Sequence, residues 1–333
     1  MNRWALSMGV SPREPLTNVQ TLAREAERLG FEALWYIDFQ LGMKDAYAAM
    51  NLAALATEKM HIGPSVTNLV TRHPTVTANA MTALDELTDG RAMLGVGAGW
   101  SAVYGAGGEP SKLADISAGI DEFRKLFTGE EVDLYGNRTQ LKTARRQIPI
   151  YIAVSQPGML RLCGEKADGA ILMGAADPDF CRWQLEFLYE GLKKAGRDRS
   201  EVLVDLVVTM SCRDSEEEAL ADVRAWATSQ AATFDPWKTM PPAWEKFRPE
   251  FARAAEEYHL VDHLSLHAEH KQIVSDEFVK SVAIAGNEEA CIERLREIVA
   301  LDIDRVTFAL LSGGRMNRME QIANRIIPAV TKK

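Results

Sequence analysis

The amino-acid sequence predicts a (β/α)8 TIM barrel, an architecture of the α/β class. Apolar strand-like runs alternate with amphipathic helical runs along the chain, and this alternation is typical of parallel βαβ units. Eight strands are predicted, which is the number that closes such a barrel. They are Trp4–Val10, Ala33–Asp38, His61–Thr67, Ala92–Gly97, Pro149–Ser155, Gly169–Met173, Val202–Cys212 and Arg305–Leu311.

The competing architecture is a doubly wound open sheet. In its dinucleotide-binding form, a G-x-G-x-x-G turn follows the first strand. Here Trp4–Val10 runs instead into Ser11-Pro12-Arg13-Glu14-Pro15, so the barrel is favoured. Helical spacing of apolar residues predicts helices between the strands, among them Asn18–Leu29, Ala46–Lys59, Ile120–Phe127 and Glu289–Leu301.

Two segments interrupt this alternation. Glu130–Leu141 has Gly136-Asn137 between short alternating runs, which predicts a hairpin before the fifth strand. The stretch from about Ser215 to Ala285, here called the insertion, follows the seventh strand and is too long for one connection. We therefore expect one domain over residues 1–333, with a helical insertion that caps the C-terminal mouth of the barrel.

The insertion is rich in aromatic residues, for which two interpretations stay open. They form a small core of the insertion itself, or one or two of them close a substrate pocket, with Trp226 and Trp237 as the candidates. The aromatic residues are Trp226, Phe234, Trp237, Trp244, Phe247, Phe251 and Tyr258.

Composition narrows the class of function. The chain has 333 residues, is 47% hydrophobic and carries a formal net charge of −9. This charge argues against nucleic acid and anionic membranes as partners, because both need basic patches. No apolar run approaches the roughly 20 residues of a membrane span. The four cysteines lie far apart without a C-x-x-C pair, which is typical of reduced thiols in a cytoplasmic protein.

The active site of a (β/α)8 barrel lies at the C-terminal ends of its strands. Here those ends hold few charges and no carboxylate cluster, which disfavours a glycosidase-like acid pair. A metal triad, a G-x-S-x-G elbow and a Cys/His couple are also missing from them. Glycine, small polar groups and aromatic residues dominate instead, so we expect a flat cofactor that carries the chemistry. The ends are Met8-Gly9, Trp35–Asp38, Gly63–Asn68, Gly97–Trp100, Ala153–Pro157 and Leu172–Ala175.

The most specific stretch is Thr71–Gly99, TRHPTVTANAMTALDELTDGRAMLGVGAG. Pro74 suits the first turn of a helix, and Asp89-Gly90 ends that helix. A buried strand follows, and Gly97-Ala98-Gly99 opens directly after it, where a ligand can approach the backbone. This stretch closely resembles the matching segment of the bacterial luciferase-like superfamily, and most of all its methylene-tetrahydromethanopterin reductase branch.

The resemblance implies an oxidoreductase that uses a flavin or a deazaflavin. In the reductase branch, the 8-hydroxy-5-deazaflavin coenzyme (coenzyme F-420) transfers hydride to or from a small organic substrate without activating oxygen. Two alternatives remain: a monooxygenase that uses reduced FMN and oxygen, and a non-catalytic flavin-binding protein.

Two further segments resemble the superfamily around the reactive ring. GFEALWYIDF (Gly30–Phe39) resembles the second strand and places Asp38, the candidate catalytic residue, near the ring. Relatives usually carry histidine directly after that acid, whereas this chain has Phe39. IGPSVTNLVTRHP (Ile62–Pro74) resembles the third strand, where many relatives hold a cis peptide behind the ring. The corresponding bond is Ser65–Val66, with an ordinary trans strand end as the alternative.

IPIYIAVSQPGMLRLCGEKADGAIL (Ile148–Leu172) resembles the fifth strand, its helix and the sixth strand, which receive the cofactor phosphate. Free backbone N–H groups beside a helix N-terminus are suited to that anion. The candidate cofactor-binding residues are therefore Asp38, Ser65, Val66, Thr67, Gly97, Ala98, Gly99, Ser155, Gln156, Gly158, Met173, Gly174 and Ala175. The candidate substrate-pocket residues are Met8, Phe39, Trp100, Trp226 and Trp237.

Several charged residues have competing interpretations. Arg72, His73 and Arg91 could contact a phosphate or the substrate, but acidic partners nearby favour structural roles. His259, His263, His267 and His270 are spaced to share one helix face. Without an H-E-x-x-H motif we interpret them as a solvated face or a pocket cap rather than as a metal site.

The helices predicted at Tyr47–Thr57 and Thr75–Leu87 carry few charges, and the first carries none. An outer barrel helix should show a polar face, so another surface should cover this one. The insertion of the same chain could do so. The resemblance favours a second copy, since relatives pair through this region, and hence a homodimer.

Overall fold

The computed structural model describes residues 3–134, 136–257, 273–310 and 314–331. Its parallel strands form the predicted barrel, with helices packed around the outside. The strands are β1 Arg3–Met8, β2 Ala33–Tyr36, β3 His61–Pro64, β4 Thr67–Asn68, β5 Leu94–Gly97, β6 Val132–Leu134, β7 Asn137–Thr139, β8 Ile150–Val154, β9 Gly169–Leu172, β10 Leu203–Cys212, β11 Ile284–Gly286 and β12 Arg305–Ala309.

The sheet runs in the order β3-β2-β1-β12-β10-β9-β8-β5-β4. Because β3 and β4 are successive pieces of one strand, this order describes eight barrel strands. A parallel bridge between Ile62 and Ala92 links β3 directly to the start of the fourth strand. The predicted hairpin is confirmed: β6 and β7 pair antiparallel around Gly136.

The helices alternate with the strands as predicted. Within the described ranges they are α1 Asn18–Arg28, α2 Ala46–Ala54, α3 Pro74–Leu87, α4 Ser101–Gly105, α5 Leu113–Thr128, α6 Pro157–Lys166, α7 Pro178–Ala195, α8 Glu216–Phe234, α9 Arg248–Glu257, α10 Asp276–Val282, α11 Glu288–Val299, α12 Arg315–Gln321 and α13 Ile327–Thr331, with a π-helical turn over Ile322–Ile326. None of these helices has the length and apolar character needed to span a membrane.

Local sequence sets the helix ends. Proline occupies the first turn of α3, α6 and α7, where its missing N–H is tolerated. The Asp45 side chain caps α2 by accepting from the Ala48 N–H at 2.7 Å. Gly129 ends α5 with a φ of +72°, a conformation that glycine adopts without a Cβ clash.

The main core lies between the barrel and its helices. Side chains such as Leu6, Leu34, Leu206 and Phe308 point outward from alternate strand positions and are fully buried there. The barrel interior is a separate cluster that includes Ala5, Trp35, Met93, Tyr151 and Ile171.

The insertion packs around a second aromatic core. Phe234 packs at tilted or edge-to-face angles against its neighbours, with ring centroids 4.5 Å from Trp237, 5.9 Å from Trp244 and 5.5 Å from Phe251. These four residues and Phe247 are all buried, which confirms that they form a core of the insertion itself. Trp226 is half-buried against this core. Tyr258 lies outside the described residues.

A buried ion pair fills the N-terminal half of the barrel interior. Asp205 on β10 faces Arg305 on β12, with Arg305 Nε 2.8 Å from Asp205 Oδ2, and both side chains are at most 1% exposed. The Trp35 indole N–H donates to Oδ2 at 2.9 Å and the Thr307 hydroxyl to Oδ1 at 2.6 Å. The Arg305 guanidinium also lies 5.4 Å from the ring centroids of Trp35 and Tyr151.

We predict that Asp205→Asn lowers the free energy of unfolding by about 3–5 kcal/mol, because it removes the nearer and fully buried counter-ion of Arg305 and leaves only Glu32, whose Oε1 lies 3.5 Å from Arg305 Nη1. Urea unfolding measures this change. Glu86→Gln is the control, since Glu86 pairs with Arg145 at 2.8 Å while both side chains are more than 60% exposed. It should cost less than about 1 kcal/mol. Equal effects of the two substitutions would contradict the assigned role of the buried pair.

Candidate functional site

The third barrel strand shapes the mouth. The Ser65–Val66 peptide bond is cis, as the resemblance predicts, and separates β3 from β4. The Ser65 N–H donates to the Tyr36 carbonyl at 2.8 Å. Thr67 is fully buried and pairs with Val96 on β5. The cis bond therefore lies between two segments that the neighbouring strands hold by hydrogen bonds.

Glycines on the fourth strand let the third strand approach closely. A Cβ on Gly97 would lie 2.8 Å from Val66 Cγ2, and one on Gly95 would lie 2.2 Å from the Pro64 carbonyl oxygen. Gly99 has a φ of +81°, and a Cβ there would lie 3.0 Å from Asn68 Cβ. Gly97 and Gly99 thus adjoin the segment that contains the cis bond, and Ala98 lies between them.

Three apolar side chains from different strands form a floor beneath the mouth. Val66, Ala153 and Met173 follow or end the third, fifth and sixth strands, and all three are half-buried. Each packs on the barrel-interior cluster. The mouth therefore presents an apolar surface above a filled interior, which suits a flat ring system.

Asp38 lies directly after the second strand, beside the third. Its Oδ2 accepts a hydrogen bond from the Thr67 hydroxyl at 2.8 Å. Burial raises the pKa of Asp38, while the Thr67 hydrogen bond and the Arg72 charge oppose that rise. Asp38 lines a cavity of about 520 Å³ together with Gln40 and Arg72. It can therefore hold a proton at a position that a small molecule can reach.

The start of α6 offers the predicted anion-binding groups. Ser155, Gln156 and Gly158 are half-buried at this N-terminus, and Pro157 occupies its first turn. A Cβ on Gly158 would meet only Leu113, at 3.5 Å. Gln156 Nε2 is buried and has no hydrogen-bond partner among the residues that the structure describes. A buried donor of this kind is suited to an oxygen of a bound ligand.

The end of the sixth strand is more enclosed than the start of α6. Met173 uses its backbone N–H for the Val154 carbonyl at 2.9 Å, and its carbonyl accepts from Gln184 at 2.8 Å. Gly174 is buried with a φ of +134°, and Ala175 is 1% exposed in the insertion core. The Ala175 side chain therefore faces the insertion core rather than open solvent.

The predicted substrate-pocket residues divide into two groups. Phe39, Trp100 and Trp226 are half-buried and stay candidates. Met8 is 1% exposed within the main core outside the barrel, and Trp237 is 9% exposed within the insertion core. The structure does not bring these last two side chains to the mouth, because neighbouring packing already encloses them.

Arg91 and His73 have structural roles, as the sequence favours, but Arg91 reaches backbone carbonyls rather than the acidic side chains of its own segment. Arg91 donates to the Met60 carbonyl at 2.5 Å and to the Thr57 carbonyl at 3.2 Å. His73 caps α3. His259, His263, His267 and His270 lie outside the described residues. Across the described ranges, no group of three or more His, Cys, Asp or Glu side chains is arranged to hold a metal.

Tyr47 is a site-adjacent residue that sequence reasoning missed. Its side chain is 8% exposed, and the Arg72 guanidinium lies 4.0 Å above its ring. Arg72 also pairs with Asp45 at 3.4 Å. The uncharged run around Tyr47 suggested an outward surface, whereas this aromatic residue packs inward behind Asp38 and Thr67. A single aromatic residue within an alanine-rich helix was the available signal.

We predict that Asp38→Asn has a higher free energy of unfolding than the wild type, and that this difference grows as pH rises above about 3.9, the ordinary pKa of aspartate. The folded state raises the pKa of Asp38, so ionising this carboxyl costs the folded state more than the unfolded state. Asparagine can still accept from Thr67. Chemical unfolding of both proteins between about pH 4 and 7 measures the difference, and a difference that does not change with pH would contradict the assignment.

Three curated proteins resemble this sequence. The 5,10-methylenetetrahydromethanopterin reductase of Methanolobus tindarius is 32% identical over 57% of this chain and 60% of its own length. The enzyme of the same name from Methanopyrus kandleri is 25% identical over 97% of this chain and 98% of its own length. The F420-dependent glucose-6-phosphate dehydrogenase of Microbacterium testaceum is 33% identical over 61% of this chain and 66% of its own length. Two of these alignments thus span less than two thirds of the relative.

Solved structures share the fold. The coenzyme F420-dependent tetrahydromethanopterin reductase from Methanopyrus kandleri has a TM-score of 0.80 at 21% identity, over 99% of this chain and 100% of that one. An F420-dependent secondary alcohol dehydrogenase with an F420-acetone adduct has a TM-score of 0.79 at 20% identity, over 100% of both. The oxygenating constituent of 3,6-diketocamphane monooxygenase from Pseudomonas putida, in complex with FMN, has a TM-score of 0.66 at 18% identity, also over 100% of both chains.

The family model described as luciferase-like monooxygenase matches residues 3–305. This match covers the barrel as far as the first residue of β12, and the insertion, including the cis segment and the start of α6. The resemblance to the methylenetetrahydromethanopterin reductase branch is confirmed by the curated relatives. The chain therefore belongs to the luciferase-like family.

Proposed function

We propose that this protein is an oxidoreductase that transfers hydride between the deazaflavin coenzyme F420 and a small organic substrate. One observation carries the proposal: similar proteins with three different substrates are each named as F420-dependent. The coenzyme is their common factor while the substrate varies. The substrate of this chain is accordingly assigned only as a small organic molecule.

The residues at the mouth fit such a coenzyme. Its ring would rest on the apolar floor of Val66, Ala153 and Met173, beside the glycines after β5. Gln156 Nε2 is a buried donor with no partner in the described parts of the chain, and it adjoins the α6 N-terminus, where a phosphate would be stabilised. Ser155, Gly158 and the backbone of Gly174 and Ala175 complete this assignment, whereas the Met173 backbone is already hydrogen-bonded to Val154 and Gln184. The coenzyme supplies a carbon centre that gives or accepts hydride.

Asp38 is the side chain that we assign to proton transfer. The Thr67 hydroxyl donates to Oδ2, and Asp38 lines a cavity that a small molecule can reach. The raised pKa brings the protonated carboxyl closer to neutral pH, where it can act as a general acid. Phe39 occupies the position where relatives usually carry histidine, so this chain has no imidazole there to share the role.

We assign the substrate side of the mouth to the insertion. Trp226 is half-buried against the insertion core, and Phe39 and Trp100 are half-buried in loops that follow the second and fourth strands. These three aromatic residues would bound the substrate pocket. In this proposal residues 1–333 form one domain, and the insertion caps its C-terminal mouth.

The second candidate is an FMN-dependent monooxygenase. The description of the matching family model and the FMN complex of a structural neighbour favour it. The two candidates differ in what the reduced cofactor does in air. A reduced deazaflavin should persist and pass hydride to substrate, whereas reduced FMN should consume oxygen.

We predict saturable binding of coenzyme F420, and tighter binding of F420 than of FMN, in fluorescence titrations. Gly97→Ala should weaken F420 binding at least about tenfold, because the new Cβ pushes Val66 from the floor. Gly105→Ala is the control: its Cβ would meet only the ends of side chains, the nearest being exposed Leu41 at 3.2 Å. Tighter binding of FMN with oxygen consumption would favour the monooxygenase, and a folded protein that binds neither would refute both.

We infer that the protein forms a homodimer through α2 and α3. Met50 is fully buried by its own chain, but Leu55, Val76 and Leu87 are 65%, 50% and 41% exposed. These exposed apolar side chains lie on or beside neighbouring helices and carry no charge. A second copy that pairs the same faces would bury them, as in most two-fold dimers.

The double variant Leu55→Glu/Val76→Glu should convert the dimer to a monomer, because four glutamates would meet at the two-fold interface. Light scattering should then report about half the mass found for the wild type. Leu113→Glu is the control, since Leu113 is 45% exposed but belongs to α5 rather than to α2 or α3. A wild-type protein that is monomeric at micromolar concentration would contradict the dimer.

The cytoplasmic location is likewise a proposal. It is supported by the wide spacing of Cys163, Cys181, Cys212 and Cys291, none of which is in a disulfide. Separated cysteines of this kind are typical of a reducing compartment.

A further inference from the structure

Two cysteines meet at the base of the insertion. Cys212 ends β10 immediately before the insertion, and Cys291 lies in the first turns of α11 just after it. Cys212 pairs in register with Gly286 on β11. Cys291 Sγ lies 3.7 Å from the carbonyl oxygens of both Ser211 and Gly286, which are the chain neighbour and the register partner of Cys212. The chain thus brings the two thiols together where the insertion leaves and rejoins the barrel.

The two thiols differ in access and in charge. Cys212 is half-buried and lines a cavity of about 290 Å³, whereas Cys291 is fully buried. The hydrogen bond from Cys291 lowers the pKa of Cys212, and the Arg325 charge adds to this effect against Glu288 and Asp214. The same hydrogen bond and burial raise the pKa of Cys291. Cys212 is therefore the nucleophilic and reachable member of the pair.

The cavity beside Cys212 is lined by guanidinium groups. Arg213, Arg318 and Arg325 all contribute to its wall, and no carboxylate is among the described residues that line it. Arg213 and Arg318 share one carboxylate, Asp222, at 2.8 and 3.7 Å. Arg325 pairs with Glu288 at 2.5 Å, so three guanidinium groups are paired with two carboxylates, and the remaining positive charge favours an anionic ligand.

We propose that Cys212 is a thiol-modification site for small disulfides that carry carboxylates, such as glutathione disulfide, and that Cys291 resolves the adduct. The Cys212 thiolate attacks one sulfur of the small disulfide, its S–S bond breaks, and one small thiol leaves with a proton. The Cys291 sulfur, after losing its own proton, then attacks Cys212 Sγ and expels the second thiol. The protein loses two protons and two electrons, and the small disulfide takes them up to become two thiols.

The product joins the two ends of the insertion. A Cys212–Cys291 disulfide closes a covalent loop that contains α8, α9 and α10. Closing a long loop restricts the unfolded chain and holds the loop ends together. Oxidation would therefore fix the base of the insertion to the barrel, independently of which cofactor the mouth takes.

Mass spectrometry with peptide mapping tests this proposal on the full chain treated with glutathione disulfide. The wild type should lose two hydrogens and yield a linked Cys212–Cys291 peptide. Cys163 and Cys181 are internal controls that should stay as thiols, because both are fully buried and burial raises the pKa of Cys181 to about 12. A wild-type protein in which Cys212 stays free, or reacts no faster than Cys163, overturns the proposal.

Two variants separate the steps. Cys291→Ser should stop at one glutathione adduct on Cys212, since the resolving sulfur is gone. Cys212→Ser should form neither adduct nor disulfide at these two positions. An adduct on Cys291 in Cys212→Ser at the wild-type rate would reverse the assigned order and overturn the proposal. The wild-type peptide map decides the matter independently if either variant fails to fold.

Charge-matched reagents test the ligand class. Dithiodipropionate is anionic, hydroxyethyl disulfide is neutral and cystamine is cationic, while all three are similar in size. The anionic reagent should react with Cys212 roughly fivefold faster than the neutral one, and the cationic one should be slowest. Arg318→Met should reduce the differences in reaction rate among the three reagents. Equal rates for all three reagents would contradict the assignment of a carboxylate-bearing ligand.

Discussion

The buried Asp205–Arg305 pair is the constraint on which the barrel interior depends. Asp205 accepts hydrogen bonds from Arg305, Trp35 and Thr307, and Arg305 lies against two aromatic rings. These contacts join β2, β8, β10 and β12 across the barrel rather than along its sheet. Because the N-terminal half is filled in this way, a ligand is confined to the C-terminal mouth.

The mouth is built more from backbone than from reactive side chains. Gly95 and Gly97 have no Cβ, so the third strand can approach the fourth, and Val66 joins the apolar floor. Asp38 is the acid held beside this floor, and Thr67 fixes one of its oxygens. Such a surface can accept a flat ring and position a proton, while the bound coenzyme supplies the redox chemistry.

The sequence predicted the order of strands and helices because local periodicity and turn residues carry that information. The cis bond at Ser65–Val66 was predictable only from the resemblance, since no physical signal in IGPSVTN requires it. The burial of Met8 was not predictable, because both faces of a barrel strand are apolar and periodicity gives no direction. The pairing of Asp205 with Arg305 was also missed, since these residues meet only through the closed barrel. Tyr47 was misjudged because its helix lacks charges on every face.

A crystal structure of the protein with coenzyme F420 would test the central claim most directly. The account predicts the deazaflavin ring on the Val66, Ala153 and Met173 floor, with Asp38 beside it and the phosphate at the α6 N-terminus. A coenzyme bound away from the C-terminal mouth, or a mouth that takes only FMN from an equal mixture, would contradict the account.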